Sequence, residues 1–262
     1  MASSDGFTYF VIASLMALGL ACFGMLTLRQ AQAPHALRVV LPSVQILAQR
    51  EPAPVQDPFA GLRAKLHWVP TKVGRETFLA PDFESRMLLA KSAAARANLA
   101  EVGLTYKDVY AIINAETSWA PRRGASRDGT PNLGIAQFEP ATAKALGLRD
   151  PDDPVEAVYA AAIYMKEAAL WSRERLRKLK LGKAERAEKL REGISIYYNL
   201  STHGRNLWNG MNTASLPIET QRHILNAKLG AREAEMLDAQ MRARSWSHGP
   251  GVMTAKASDA RS

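Results

Sequence analysis

From Phe7 to Leu28 the chain runs without a charged residue (FTYFVIASLMALGLACFGMLTL), and those 22 positions, wound as a helix, are long enough to cross a hydrocarbon core about 30 Å thick. The only charged side chain before this run is Asp5, whereas a cleaved signal peptide has an apolar core of roughly 7–15 residues behind a positive segment. The pattern therefore predicts a retained transmembrane anchor over 1–30. The Ala31-Gln32-Ala33 sequence keeps cleavage as the competing reading, with Pro34 set against it. Residues 31–80 carry Pro34, Pro42, Pro52, Pro54, Pro58 and Pro70 with no sustained helical period, which predicts an extended, semi-rigid spacer.

From residue 81 onward the pattern is helical. Asp82 caps a helix running to about Val102, where Gly103 stops it, and Thr105-Tyr106-Lys107-Asp108 reads as a capping box opening a second helix. Pro140 opens a short helix closed by Gly147, and Asp153-Pro154 opens a long one broken at Gly182. Further helices are predicted from Ala184 to Tyr198 and from Ile218 to about Arg242, and no segment shows strand alternation with hairpin turns. The expected fold class is all-α, with a globular domain over 81–230 behind a single N-terminal transmembrane helix. Residues 231–262 form a helical extension and a disordered tail in this reading.

Composition narrows the chemistry. The chain has 262 residues, is 47% hydrophobic and 23% charged, and carries a net charge of +9, which excludes a wholly disordered chain and a multi-span membrane protein. Its single cysteine, Cys22, rules out an internal disulfide or a cysteine-based zinc site, and phosphate-loop, dinucleotide, HExxH and EF-hand motifs are all missing. The histidines His35, His67, His203, His223 and His248 are scattered without ligand spacing, so neither metal nor cofactor is expected.

One residue does not fit its stripe. Val109, Ile112, Ile113 and Glu116 follow the i, i+3, i+4, i+7 spacing of one helix face, so a carboxyl shares the core-facing side with three apolar residues. Loss of water there disfavours the charged form, which is what a general acid near neutral pH requires. The alternative is a helix-end Glu that turns to solvent or pairs with Arg122 or Arg123.

The residues around Glu116 add a second signal. Glu116-Thr117 is followed by Pro121 and Ser126, then Gly134-Ile135-Ala136-Gln137, then Thr142-Ala143 five residues after Gln137, and finally Tyr197-Tyr198-Asn199. In this order they resemble the catalytic domain of soluble lytic transglycosylases, relatives of goose-type lysozyme, over about Arg86 to Ile224. The family pattern has Ser at Thr117, Met at Ala136 and Gly at Ser201, and a shorter loop between Glu116 and Gln137.

The resemblance implies a lysozyme-like fold and cleavage of the β-1,4 bond between N-acetylmuramic acid and N-acetylglucosamine in peptidoglycan. One glutamic acid protonates the glycosidic oxygen, then accepts the proton of the sugar's own C6 hydroxyl as a 1,6-anhydro ring closes. No second, water-activating carboxylate is needed, in contrast to ordinary glycosidases. Asp128 and Glu139 are the candidates for such a carboxylate if the enzyme is instead a muramidase. The resemblance places Tyr198 near Glu116, lines the sugar groove with Gln137, and brings backbone close to ligand at Gly134. Thr117, Ser126 and Asn199 complete the expected substrate site, the last two by shaping loops, and Trp119 is open to either sugar stacking or the core.

Between Arg173 and Arg191 nine basic residues alternate with Glu174, Glu185 and Glu188, which reads as a solvated helix face or as attraction to a polyanion such as peptidoglycan or anionic lipid. Nucleic acid is not an expected partner. Arg29 and Arg38 after the apolar run favour a cytoplasmic domain, but a wall-cutting domain has its substrate in the periplasm. The expected arrangement is therefore inner-membrane anchorage with a periplasmic domain, working on glycan strands and opening the wall for a conjugation or secretion apparatus. A non-catalytic wall-binding protein is the alternative of a different class.

Overall fold

The computed structural model describes residues 57–126 and 128–247. The anchor expected at 7–28, most of the proline-rich spacer and the last residues of the tail lie outside them. Among the described residues no helix is long and apolar enough to cross a membrane.

The described chain opens with a single helical turn, α1 (Ala60–Arg63), and an antiparallel hairpin of β1 (Trp68–Val73) and β2 (Glu76–Pro81), paired from Trp68↔Pro81 to Val73↔Glu76. Gly74 sits at φ 62° and, with Arg75, makes a two-residue turn that a side chain at position 74 would strain. The described part of the spacer expected over 31–80 thus carries a helical turn and nearly all of a hairpin. The hairpin left little trace in the sequence because it buries little: Trp68 and Val69 are exposed and Leu79 is 64% exposed, so no apolar alternation develops. Pro70 is tolerated because a two-stranded ribbon has free edges.

The helical part follows the caps. Asp82 accepts from the Ser85 amide (2.8 Å) to start α2 (Phe83–Arg96). That helix stops short of its expected end at Val102, because Asn98 takes a left-handed conformation (φ 52°) and hands over to a 3₁₀ turn at Leu99–Val102 before Gly103. The capping box forms: Asp108 Oδ2 accepts from the Thr105 amide (2.7 Å) and Thr105 Oγ1 from the Lys107 amide (3.2 Å), opening α3 (Tyr106–Thr117). Two short paired strands follow, β3 (Gly124–Ala125) and β4 (Pro131–Asn132), too short to be read from periodicity. Next come α4 (Pro140–Ala145), α5 (Pro154–Leu176), α6 (Lys183–Asn199), α7 (Thr202–Asn206), a 3₁₀ turn and α8 (Ile218–Ser247).

The α5 helix is the spine of the core. Ala157, Val158, Ala161, Ala162, Met165, Ala168 and Ala169 are buried along it, and the small size of the alanines lets α2 and α6 pack close. Its N-cap, Asp153, also receives the guanidinium of Arg63, with Arg63 Nη1 2.9 Å from Asp153 Oδ1, which fastens the opening segment to the domain. The other main packing is α3 against α8, and it holds the site.

Candidate active site

The apolar stripe of α3 is buried as its spacing requires, with Val109, Ile112 and Ile113 in the core, and Glu116 follows on the same face at the helix end, its side chain 15% exposed. Ser118 (φ 52°) and Trp119 (φ 67°) then take two consecutive left-handed conformations, a costly arrangement for residues with side chains. This turn ends α3 directly after Glu116-Thr117. It persists because Trp119 is fully buried against Tyr110, ring centroids 5.0 Å apart. Trp119 therefore belongs to the core and is not a platform for a sugar.

A clamped loop surrounds the helix end. Thr117 Oγ1 donates to the carbonyl oxygen of Ile135 (2.8 Å), tying α3 to the Gly134-Ile135-Ala136-Gln137 segment. Gln137, itself at φ 51°, donates its amide N–H groups to the carbonyl oxygens of Arg122 (2.7 Å) and Gly134 (2.8 Å). Its amide nitrogen thus closes the loop from 122 to 134 instead of standing free for a sugar. Gly134, at φ 67°, is needed because a Cβ there would lie 1.9 Å from the Pro151 carbonyl oxygen. The close backbone approach expected of Gly134 is therefore made to the protein's own chain. Arg122 donates to the main-chain carbonyl of Glu116 (3.0 Å) and Arg123 pairs with Asp152, so neither arginine neutralises the Glu116 carboxyl.

The two other candidate carboxylates are occupied within the same loop. Ser126 Oγ donates to Glu139 Oε1 (2.7 Å). Asp128 accepts from the Thr130 amide (3.0 Å), a bond that holds its exposed carboxyl below the usual carboxylate range.

The group bonded to the Glu116 carboxyl comes from the far end of the chain. His223 Nε2 lies 2.7 Å from Glu116 Oε1, with the histidine side chain 7% exposed. Its position follows from the antiparallel register of α8 on α3. Lys107 pairs with Glu235 (2.8 Å), and Tyr110 donates to Glu233 (3.0 Å). Gly230 lets the helices touch where a Cβ would stand 2.9 Å from Asn114 Cβ and 3.1 Å from Ala111 Cα. One turn before His223, Thr220 Oγ1 donates to Asn199 Oδ1 (2.7 Å), so Asn199 anchors the start of α8 and serves the site through packing.

Tyr198 packs among aromatic rings, its centroid 5.8 Å from Phe138 and 5.1 Å from Tyr164. Its hydroxyl is buried with no hydrogen-bond partner among the described residues. Burial first, and the charge of Glu116 second, push its ionisation well above the ordinary tyrosine value, so it stays a neutral phenol. The resemblance places Tyr198 near Glu116, and the side chain within hydrogen-bond distance of that carboxyl is His223.

Residues 93–177 match the family model of the transglycosylase SLT domain. Over this segment the chain is similar to that family. Comparison with curated proteins gives no match. The SLT segment contains Glu116, Thr117, Ser126, Gly134 and Gln137, while Tyr198, Asn199 and His223 reach the site from α6 and α8 beyond it. A cavity of about 320 Å³ between α3, α6 and α8 is lined by Ile112, Met165, Ile194, Ile224 and a charged rim, and none of the SLT site residues faces it.

Proposed function

We propose that the protein is a peptidoglycan lytic transglycosylase in which Glu116 is both acid and base. Glu116 gives its proton to the glycosidic oxygen between N-acetylmuramic acid and N-acetylglucosamine as the C1–O bond breaks. The C6 hydroxyl of the muramic residue then bonds to C1, and its proton returns to Glu116. Bonds and protons balance without water, and the carboxyl ends as it began. The observation that carries this reading is a single shielded carboxyl at the end of α3 in an SLT domain, with Asp128 and Glu139 both engaged in loop hydrogen bonds. In the same proposal the 7–28 segment anchors the chain, the domain works on the wall outside the cytoplasm, and the cut makes room for an envelope-spanning apparatus.

The test is to incubate the full-length protein with purified peptidoglycan beside Glu116→Gln and to weigh the released sugars. Anhydro-ended muropeptides from the parent and none from Glu116→Gln are expected. Reducing ends from the parent would mean a hydrolase and return attention to Asp128 and Glu139.

A further inference from the structure

Resting on the reading of Glu116 as the acid, we infer that His223 is a positioning residue whose Nε2–H donates to Glu116 Oε1 and so reserves Oε2 for the proton that moves. The two side chains stand 2.7 Å apart and are both largely shielded from water. The opposite ring nitrogen, Nδ1, is buried and has no hydrogen-bond partner among the described residues.

The bond at Nε2 and the lack of a partner for Nδ1 among the described residues together favour one tautomer. A neutral imidazole carries one N–H. Placed on Nδ1, the hydrogen would be a buried donor with no partner among the described residues, at a cost in desolvation that no hydrogen bond offsets. Placed on Nε2, it meets Oε1, and Nδ1 keeps only a bare lone pair. The same bond serves both halves of the reaction, because Oε1 accepts from Nε2–H as the carbonyl oxygen of the acid and as an oxygen of the carboxylate. Once Glu116 has given up its proton the bond becomes charge-assisted and stronger, so it favours the charged stage over the resting one without moving. Arg122 touches only the Glu116 main chain, and the Tyr198 hydroxyl makes no bond to the pair. Among the described residues His223 is thus the one side chain holding this carboxyl.

The placement is built into α8. Thr220, His223, Ile224 and Ala227 follow the i, i+3, i+4, i+7 spacing of one face of α8, the Thr220–Asn199 bond fixes the first turn, and Gly230 sets the spacing to α3.

The experiment compares kcat and KM of the full-length protein and its His223→Gln, His223→Asn and His223→Phe forms on soluble glycan strands, with the histidine tautomer read by ¹⁵N NMR in the parent. Gln places an N–H where Nε2–H stands, Asn places one where Nδ1 stands, and Phe keeps the shape alone. Phe and Asn are expected to lower kcat by roughly 10- to 100-fold with KM little changed, and Gln to recover most of the rate. The NMR signature expected is a protonated Nε2 and a bare Nδ1. Parental kcat in the Phe form, equal rates for Asn and Gln, or an Nδ1–H tautomer would overturn the role of His223 while leaving Glu116 as the acid. Reducing sugars, or no sugar, from the parent would instead overturn the reading of Glu116, and with it the catalytic meaning of this bond.

Discussion

Two regions hold the Glu116 carboxyl, and they do so by different physics. Around the end of α3 the means are local: two left-handed residues at Ser118 and Trp119, the Thr117–Ile135 bond and the Gln137 clamp all lie within about two dozen residues of each other. On α8 the means are remote, since His223 is 107 positions away and arrives only through helix packing. The local region fixes where the acid's backbone is. The remote one fixes how its carboxyl is turned. A family motif records the first kind of constraint well, because spacing along the chain is preserved in it. The second depends on the register of one helix on another and leaves little trace in the local sequence.

Substitutions separate the two regions, and the largest effect falls on the acid itself. Glu116→Gln should lower the rate of anhydro-sugar release at least about 100-fold while the melting temperature stays near the parent's, measured side by side. In the local region Gly134→Ala drives a methyl into the Pro151 carbonyl from a left-handed backbone, and denaturant unfolding should register a loss of about 3 kcal/mol. In the remote region Gly230→Ala pushes α8 away from Ala111 and Asn114. Here the stability loss should be about 1–3 kcal/mol, and the rate should fall further than stability alone explains because His223 withdraws with the helix.

Smaller effects mark the limits of the comparison. Burial lifts the Asp153 carboxyl, but the Arg63 guanidinium and the Val155 amide outweigh it and hold the group below its ordinary value. A carboxyl lowered on folding adds stability above its unfolded value, near 4, and loses it as pH falls through the folded one. The melting-temperature gap between the parent and Arg63→Ala should therefore be full at neutral pH and close in acid, with activity per folded molecule unchanged. Tyr198→Phe removes a buried hydroxyl that has no partner among the described residues, so its unfolding free energy should equal or exceed the parent's. A drop in kcat or a rise in KM for this variant would mean that the hydroxyl meets the substrate.

Much of the fold was legible before any coordinates. The caps at Asp82, Thr105 and Asp153 and the stop at Gly147 place helix ends through local hydrogen bonding, and those local rules held, whereas the first long helix ends at Arg96, before the stop expected at Gly103. The hairpin at 68–81 was not legible because its strands bury almost nothing on either face. At the site, Glu116 stood out as a carboxyl on an apolar stripe. On α8 the stripe of Thr220, His223, Ile224 and Ala227 carries two polar residues, of which His223 is the titratable one, whereas searching histidines for metal-ligand spacing passes over it. What Gln137 and Gly134 do for the loop was not legible either, because a motif says that a residue is needed but not which contacts it makes with the protein's own chain.

The central claim is that one carboxyl gives and regains a proton and that water takes no part. Digesting peptidoglycan with the full-length protein in ¹⁸O-enriched water tests it directly. The account predicts anhydro-ended products carrying no heavy oxygen from the solvent at the muramic C1. Reducing-end muramic acid labelled with ¹⁸O would contradict it.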